Sequence, residues 1–278
     1  MEKIHIERNT VQETLIIPLF ARYQGSLIYP ELCKDDTLKP LIDSLDYDFS
    51  NYDNTLDSAA GRFGALEVLT REYAMVCEIE AYLQTYPGAA VVNLGCGLLD
   101  FGPRIRNKNC HIYNVDFPDV IEVRRQLIPE KENVTCIGTD LNDQSWFTGI
   151  EKENGAIFVA CGVFYYFTNE QMRKLLSGMA AYFPDGIVCF DECNRTGVKM
   201  MTKKWIKKAA NIDVNALFAV SNAKKEIGPW SPNFRNVSAK PYMEGYSDEY
   251  KKHGMMSRIL SVVGDRMMKM QIVKIEFR

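Results

Sequence analysis

Apolar and polar positions follow two regimes along the chain, with the change near residue 86. Before it, apolar residues recur at helical spacing. Thr10 and Glu13 have capping-box spacing ahead of Leu15, Ile16 and Phe20 and predict a first helix. Pro30 and Lys34-Asp35-Asp36 interrupt the pattern, a second helix is expected over 37–45, and 46–57 reads as a polar loop. A long helix follows over about 60–86, stopped by Pro87-Gly88. After that, solid apolar runs of strand length occur at 90–94, 111–115, 133–137, 156–161 and 187–191. Helix-period stretches at about 118–127, 169–182 and 198–210 separate the later ones. Alternation of this kind predicts a parallel sheet with helices on both faces. The stretch 211–246 is less regular, with a loop at Gly228-Pro229-Trp230-Ser231-Pro232 and a weak strand near 234–239. A helix over about 248–263 and an alternating strand over 268–277 end the chain. The pattern predicts an α/β fold: a mostly parallel seven-stranded sheet closed by a late hairpin-like pair. Residues 1–86 are expected to form a helical cap integral to the fold, and 87–278 the core, with a substrate-side insertion at about 195–246.

The first apolar run breaks into Gly95-Cys96-Gly97, and the second ends in Asp116, about 20 residues later. Strand, glycine turn, helix and carboxylate-tipped strand are half of a nucleotide-binding α/β unit. Gly95 and Gly97 let the backbone approach a ligand closely. Asp116 can accept from both hydroxyls of a ribose, or cap the helix that Phe117-Pro118 opens. A dinucleotide fingerprint needs a small residue three positions after Gly97, and Asp100 stands there. A ligand with a ribose and no phosphates fits better, and S-adenosylmethionine is such a ligand. Asn93, just before the turn, can orient the ligand's ammonium or pair with backbone.

The third strand runs into Asp140-Leu141. Asp140 can accept from an adenine amino group while the Leu141 amide donates to a ring nitrogen; a turn aspartate is the alternative. The fourth ends in Cys161-Gly162-Val163 and the aromatics Phe164-Tyr165-Tyr166-Phe167. In open α/β sheets ligands lie beyond the carboxyl ends of the strands, so this run borders the pocket unless it packs in the core. Seven strands with a late hairpin suit a class I methyltransferase fold, a Rossmann-like fold, better than a six-stranded dehydrogenase.

Composition narrows the class. The chain of 278 residues is 46% hydrophobic and 25% charged, enough for one elaborated α/β domain. A net charge of −3 leaves no footprint for nucleic acid, and the Lys pairs at 203–204, 207–208, 224–225 and 251–252 read as solvated faces. No apolar run has the length of a membrane span, and the first residues carry no signal-peptide pattern. Eight cysteines without a Cys-x-x-Cys pair and three scattered histidines indicate reduced core thiols and no metal site. A cytoplasmic protein is expected.

These residues together resemble a known family. Residues 91–98, Asn114-Val115-Asp116-Phe117-Pro118 with Arg124-Arg125, Asp140-Leu141 and 158–168 are similar to the leucine carboxyl methyltransferase family. The likeness is to its bacterial branch of polyketide O-methyltransferases, and 13–19 with Arg22 and 46–50 extend it. It covers roughly residues 10–190. The resemblance implies methyl transfer from S-adenosylmethionine to an oxygen, leaving S-adenosylhomocysteine, with N-terminal helices over the pocket and no metal. It also implies an arginine on the helix before the first strand that holds the donor's carboxylate. Arg71 occupies that place, ahead of Arg62. The cofactor set is then Arg71, Asn93, Gly95, Gly97, Asp116, Phe117, Asp140, Leu141 and Cys161.

Three positions depart from the family pattern. Leu99-Asp100-Phe101 replaces Asp-Thr-Arg after the glycine turn, Cys161 replaces a glutamate near the donor's amino group, and Val76 replaces an aspartate. Cys161 can still offer its backbone carbonyl. A sulfonium donor is already activated, so proximity and orientation carry the reaction. A carboxylate acceptor needs no base, whereas a phenol or enol can use Tyr165, Tyr166, Asp191 or Glu192. The leading reading is an O-methyltransferase acting on a hydroxyl or carboxyl of a small molecule. A carboxyl methyltransferase acting on a protein C-terminus, using charge from residues 199–208, and a donor-binding protein without catalysis stand behind it. A dehydrogenase is fourth. The acceptor and the oligomeric state stay open.

Overall fold

A computed structural model describes residues 3–6, 11–50, 55–201 and 218–278. Thr10 of the expected capping box, the later part of the 198–210 helix and the Lys pairs at 203–204 and 207–208 lie outside the described residues, as does the Glu13 side chain.

The helical first third contains α1 (Val11–Ile28), the short α2 (Leu38–Asp43) and the long α3 (Ala59–Thr85). Ser58 starts α3 by accepting from the Gly61 amide, satisfying one of its unpaired donors. A two-residue parallel bridge between Ile4–His5 and Leu45–Asp46 ties the start of the chain to the end of α2.

The sheet contains β1 (Ala90–Leu94), β2 (His111–Asp116), β3 (Val134–Gly138), β4 (Ala156–Ala160), β5 (Ile187–Glu192), β6 (Phe234–Pro241) and β7 (Gln271–Phe277). Their spatial order is β3-β2-β1-β4-β5-β7-β6, parallel except that β7 runs antiparallel to β5 and to β6. The expected late pair is thus present, and the faint sixth strand is a full eight residues. All five residues of β1 and of β4 are buried, because both faces of the sheet are covered. Val91, Ile157 and Cys189 pack on the side of α1, α3 and α4 (Pro118–Leu127). Val92, Phe158 and Val188 pack on the side of α5 (Asn169–Tyr182), with Trp146 and Phe147. Thr168 and Gln171 form a complete capping box at the start of α5.

One expectation fails. No helix joins β1 to β2; residues 95–110 form successive turns. Gly102-Pro103 and two asparagines, Asn107 and Asn109, interrupt helical hydrogen bonding there. Side chains hold the segment instead: Asp100 accepts from the Gly102 amide, and Lys108 donates to the carbonyls of Gly102 and Ile105. The strand order reverses between β1 and β4, so their carboxyl ends flank a crevice, the usual place for a ligand in such sheets.

After β5 the chain continues through α6 (Arg195–Met201), a one-turn α7 (Ala223–Glu226) and α8 (Gly254–Val262), which ends in a π turn over Val263–Met267. Lys224, Lys225, Lys251 and Lys252 are exposed. No described helix is long and apolar enough to cross a membrane.

Candidate donor-binding site

The glycine turn is built for close approach. Gly95 and Gly97 have φ of +60° and +47°, a region that favours glycine. A Cβ on Gly95 would lie 2.5 Å from Val163 Cγ2, and one on Gly97 would lie 3.1 Å from Leu15 Cδ2 of α1. The turn is therefore covered by the helical cap on one side and by the β4 end on the other. Asp116 faces it from β2. Its Oδ2 accepts from the Gly97 amide and its Oδ1 from the Phe117 amide, both at 2.8 Å. Burial pushes the Asp116 carboxyl up, and these two amides work against the shift. Phe117, beside it, is exposed.

Two buried arginines hold the outer side of the turn. Arg124 of α4 donates from Nη1 to the carbonyls of Gly97 and Leu99, both at 2.9 Å, and Arg22 of α1 donates to the carbonyl of Leu98 at 3.0 Å. Three successive carbonyls are thus taken by guanidiniums from two helices. Arg22 also lies 3.6 Å from Glu72, which accepts from Arg104 at 3.0 Å. All three side chains are almost fully buried. Sequence reasoning gave Arg22 and Arg124 no role. The available signal was a pair of arginines on otherwise apolar helix faces, where burial requires a partner.

Asn93 does not point at the crevice. Its amide nitrogen lies 3.2 Å from both the Leu99 carbonyl and Asn114 Oδ1, so the backbone-pairing alternative describes it. Asp140 is exposed and accepts from the Asn142 amide and side chain at 2.9 Å, a turn arrangement that leaves its second oxygen outside these bonds. Leu141 is buried, its carbonyl accepting from the Trp146 indole.

The ends of β4 and β5 meet around Asp191. Asp191 Oδ1 accepts from the Gly162 amide at 2.6 Å; Oδ2 accepts from Arg71 Nη1 at 3.0 Å and from the Tyr165 hydroxyl at 2.8 Å. Arg71 is buried rather than solvated, and its Nε carries no hydrogen bond among the described residues. Burial opposes its charge, yet Asp191 holds its pKa well above the ordinary value. Gly162, at φ +72°, brings backbone against this guanidinium: a Cβ there would lie 3.3 Å from Nη1. Cys161 is half-buried, and burial drives its thiol pKa up despite Arg71. Val76 is partly buried in the core beneath the cap.

The candidate bases fare unequally. Burial, and then Asp191, push the Tyr165 phenol well above its ordinary range, so it remains a donor to Asp191. Burial also pushes Glu192 well up; its Oε1 accepts from the Cys193 amide, and its Oε2 has no described partner. Phe164 and Phe167 pack edge-on, and Phe164 also meets Phe190 in the core. Tyr166 alone among the four aromatics is exposed.

Residues 21–180 match the model of the leucine carboxyl methyltransferase family, more than half of the chain, and the chain belongs to that family. The tetracenomycin polyketide synthesis O-methyltransferase of Streptomyces glaucescens is 30% identical over 183 residues, 65% of this chain and 65% of that protein. The chain thus spans about 65% of the length of the curated relative it matches. Among solved structures, a candidate methyltransferase from Thermobifida fusca superposes with a TM-score of 0.57 at 13% identity, covering 93% of this chain and 94% of that one. Human N-acetylserotonin methyltransferase, solved in complex with S-adenosylmethionine, gives 0.50 at 11% identity, over 96% of this chain and 72% of that one. These two likenesses bear on the fold, which is that of class I methyltransferases.

Proposed function

We propose that this protein is an S-adenosylmethionine-dependent O-methyltransferase acting on a hydroxyl or carboxyl of a small molecule. The observation that carries the reading is the Asp116 carboxylate set against the Gly97 amide at the strand-order reversal. A carboxylate there can take ribose hydroxyls, while the turn, unlike a dinucleotide site, leads into no helix that would hold a diphosphate. Family membership and the polyketide O-methyltransferase relative favour oxygen as the acceptor atom.

The residues fit such a donor. Arg71 has a buried N–H without a partner among the described residues, suited to a carboxylate. Asp116 would hold the ribose, with Phe117 beside it. Asp140 and the Leu141 backbone would take the adenine, and the Cys161 backbone would border the amino-acid end. Asn93 would act through the turn it braces. The bound donor supplies an electrophilic methyl on a sulfonium. The chain's contribution is orientation and exclusion of water by α1, which lays Leu15 on Gly97. None of the candidate groups is a ready general base: Tyr165 and Asp191 are bound to one another, and burial pushes the Tyr166 phenol up as well, so a carboxylate acceptor, which needs no base, suits the site best. Residues 1–86 would serve as the cap and 195–246 as the acceptor side.

The experiment is incubation of the protein with methyl-labelled S-adenosylmethionine and a panel of phenols, enols, small carboxylic acids and a peptide with a free C-terminal carboxylate. Label in a methyl ether or ester supports the reading. Label only in a peptide carrying a free C-terminal carboxylate would favour the protein-directed alternative.

A further inference from the structure

The Arg71–Asp191 pair has an arrangement that neither a structural ion pair nor a catalytic base requires. Asp191 carries about four lone-pair sites, and three are filled: Gly162 N–H on Oδ1, Arg71 and Tyr165 on Oδ2. One site on Oδ1 is left among the described residues. Beside it, Arg71 presents a buried Nε–H that also carries no hydrogen bond. An open acceptor position and an open donor position therefore belong to one ion pair. They are next to the glycine turn, because Val163 packs on Gly95 while Gly162 lies against the guanidinium. The end of β4 itself offers a thiol, Cys161, rather than a carboxylate.

We propose that Asp191, on β5, binds the ammonium of the donor's amino-acid end, beside the carboxylate that the donor reading already gives to Arg71, so that the pair forms a receptor for an α-amino-acid zwitterion. The inference rests on the donor reading above and assigns Asp191 a binding role rather than that of a base. Opposite charges already paired can admit a zwitterion without leaving either charge alone, since each gains a partner as their mutual contact loosens. Tyr165 and the Gly162 amide then act as positioning groups, keeping the carboxylate aimed while Arg71 shifts.

The test is calorimetric titration with S-adenosylhomocysteine and with 5′-methylthioadenosine, which lacks the amino-acid end. In Asp191→Asn, affinity for S-adenosylhomocysteine should fall about tenfold or more, the loss expected for a hydrogen bond to a charged group. Affinity for methylthioadenosine should stay within about twofold. Equal losses for both ligands, or no loss for either, overturn the proposal. Should Asp191→Asn not fold, Tyr165→Phe removes one bond to Asp191 and keeps the ring. It should weaken S-adenosylhomocysteine selectively, and an unchanged ratio of the two affinities overturns the proposal. A wild-type protein that binds neither ligand refutes the donor reading itself, whereas one that binds both equally refutes only the zwitterion receptor.

Discussion

Arg124 Nη1 lies 2.9 Å from the carbonyl oxygen of Gly97, and the amide of the same glycine donates to Asp116 at 2.8 Å. The glycine is thus held from both sides, by a cation on its acceptor and an anion on its donor. Arg124→Met should keep much of the packing volume, deprive the Gly97 carbonyl of its guanidinium donor and leave the Leu99 carbonyl to Asn93 alone. The expected cost is about 1–3 kcal/mol of stability, measured by urea unfolding, together with weaker donor binding. Unchanged stability would mean that the turn holds its shape without the guanidinium.

The cap is tied to the core through a buried charge cluster. Glu72 stands between Arg22 of α1 and Arg104 of the β1–β2 segment. Glu72→Gln removes the negative charge that faces both guanidiniums, and losing one partner of a buried ion pair costs about 3–5 kcal/mol. We expect destabilisation of that size and earlier proteolytic cleavage within α1 than in the sheet. Uniform resistance to protease would show that the cap is held by its apolar contacts alone.

Much of this organisation was legible in the sequence, and the reason is periodicity. β1 at 90–94, α4 at 118–127 and α5 at 169–182 fall where the pattern predicts, because solid apolar runs and amphipathic repeats are written directly in residue order. The β1–β2 connection departs from the helix that a nucleotide-binding pattern predicts, because nothing in that pattern signals that side chains such as Lys108 will replace helical hydrogen bonds. Gly97 and Asp116 could be paired from spacing. The contact between Arg71 and Asp191 could not, since 120 residues separate them and only the sheet order brings β5 over α3. For the same reason the partners of Arg22 and Arg124, backbone carbonyls, leave no residue-type signature.

Gly97→Val should abolish donor binding in a folded protein. The substitution meets a φ of +47° and Leu15 Cδ2 at 3.1 Å, so it strains the turn and pushes on α1. Adding Leu15→Ala should recover part of the lost stability without restoring affinity. Recovery of affinity would mean that the side chain clashes with the cap and not with the ligand.

A pH effect is expected from Asp265, which is buried, accepts from the Met243 and Glu244 amides, and has its pKa pushed by burial from 3.8 to about 6. Below about pH 4 both folded and unfolded states hold the proton. Between pH 4 and 6 the unfolded chain releases it while the folded protein keeps it, so stability falls as pH rises through that window. The loss should be roughly 2–3 kcal/mol and should be absent from the Asp265→Asn variant. Parallel urea titrations at pH 4 and pH 7 measure it, and equal pH slopes for the two proteins would contradict the assignment.

The central claim, that the Gly97–Asp116 turn holds a methyl donor by its ribose, is tested most directly by calorimetry on wild type and Asp116→Ala with S-adenosylmethionine, S-adenosylhomocysteine and NAD. The account predicts that wild type binds the first two and not NAD, and that Asp116→Ala, folded, loses about 1.5–3 kcal/mol of binding free energy for both. Binding of NAD, or equal donor affinity in wild type and variant, would contradict it.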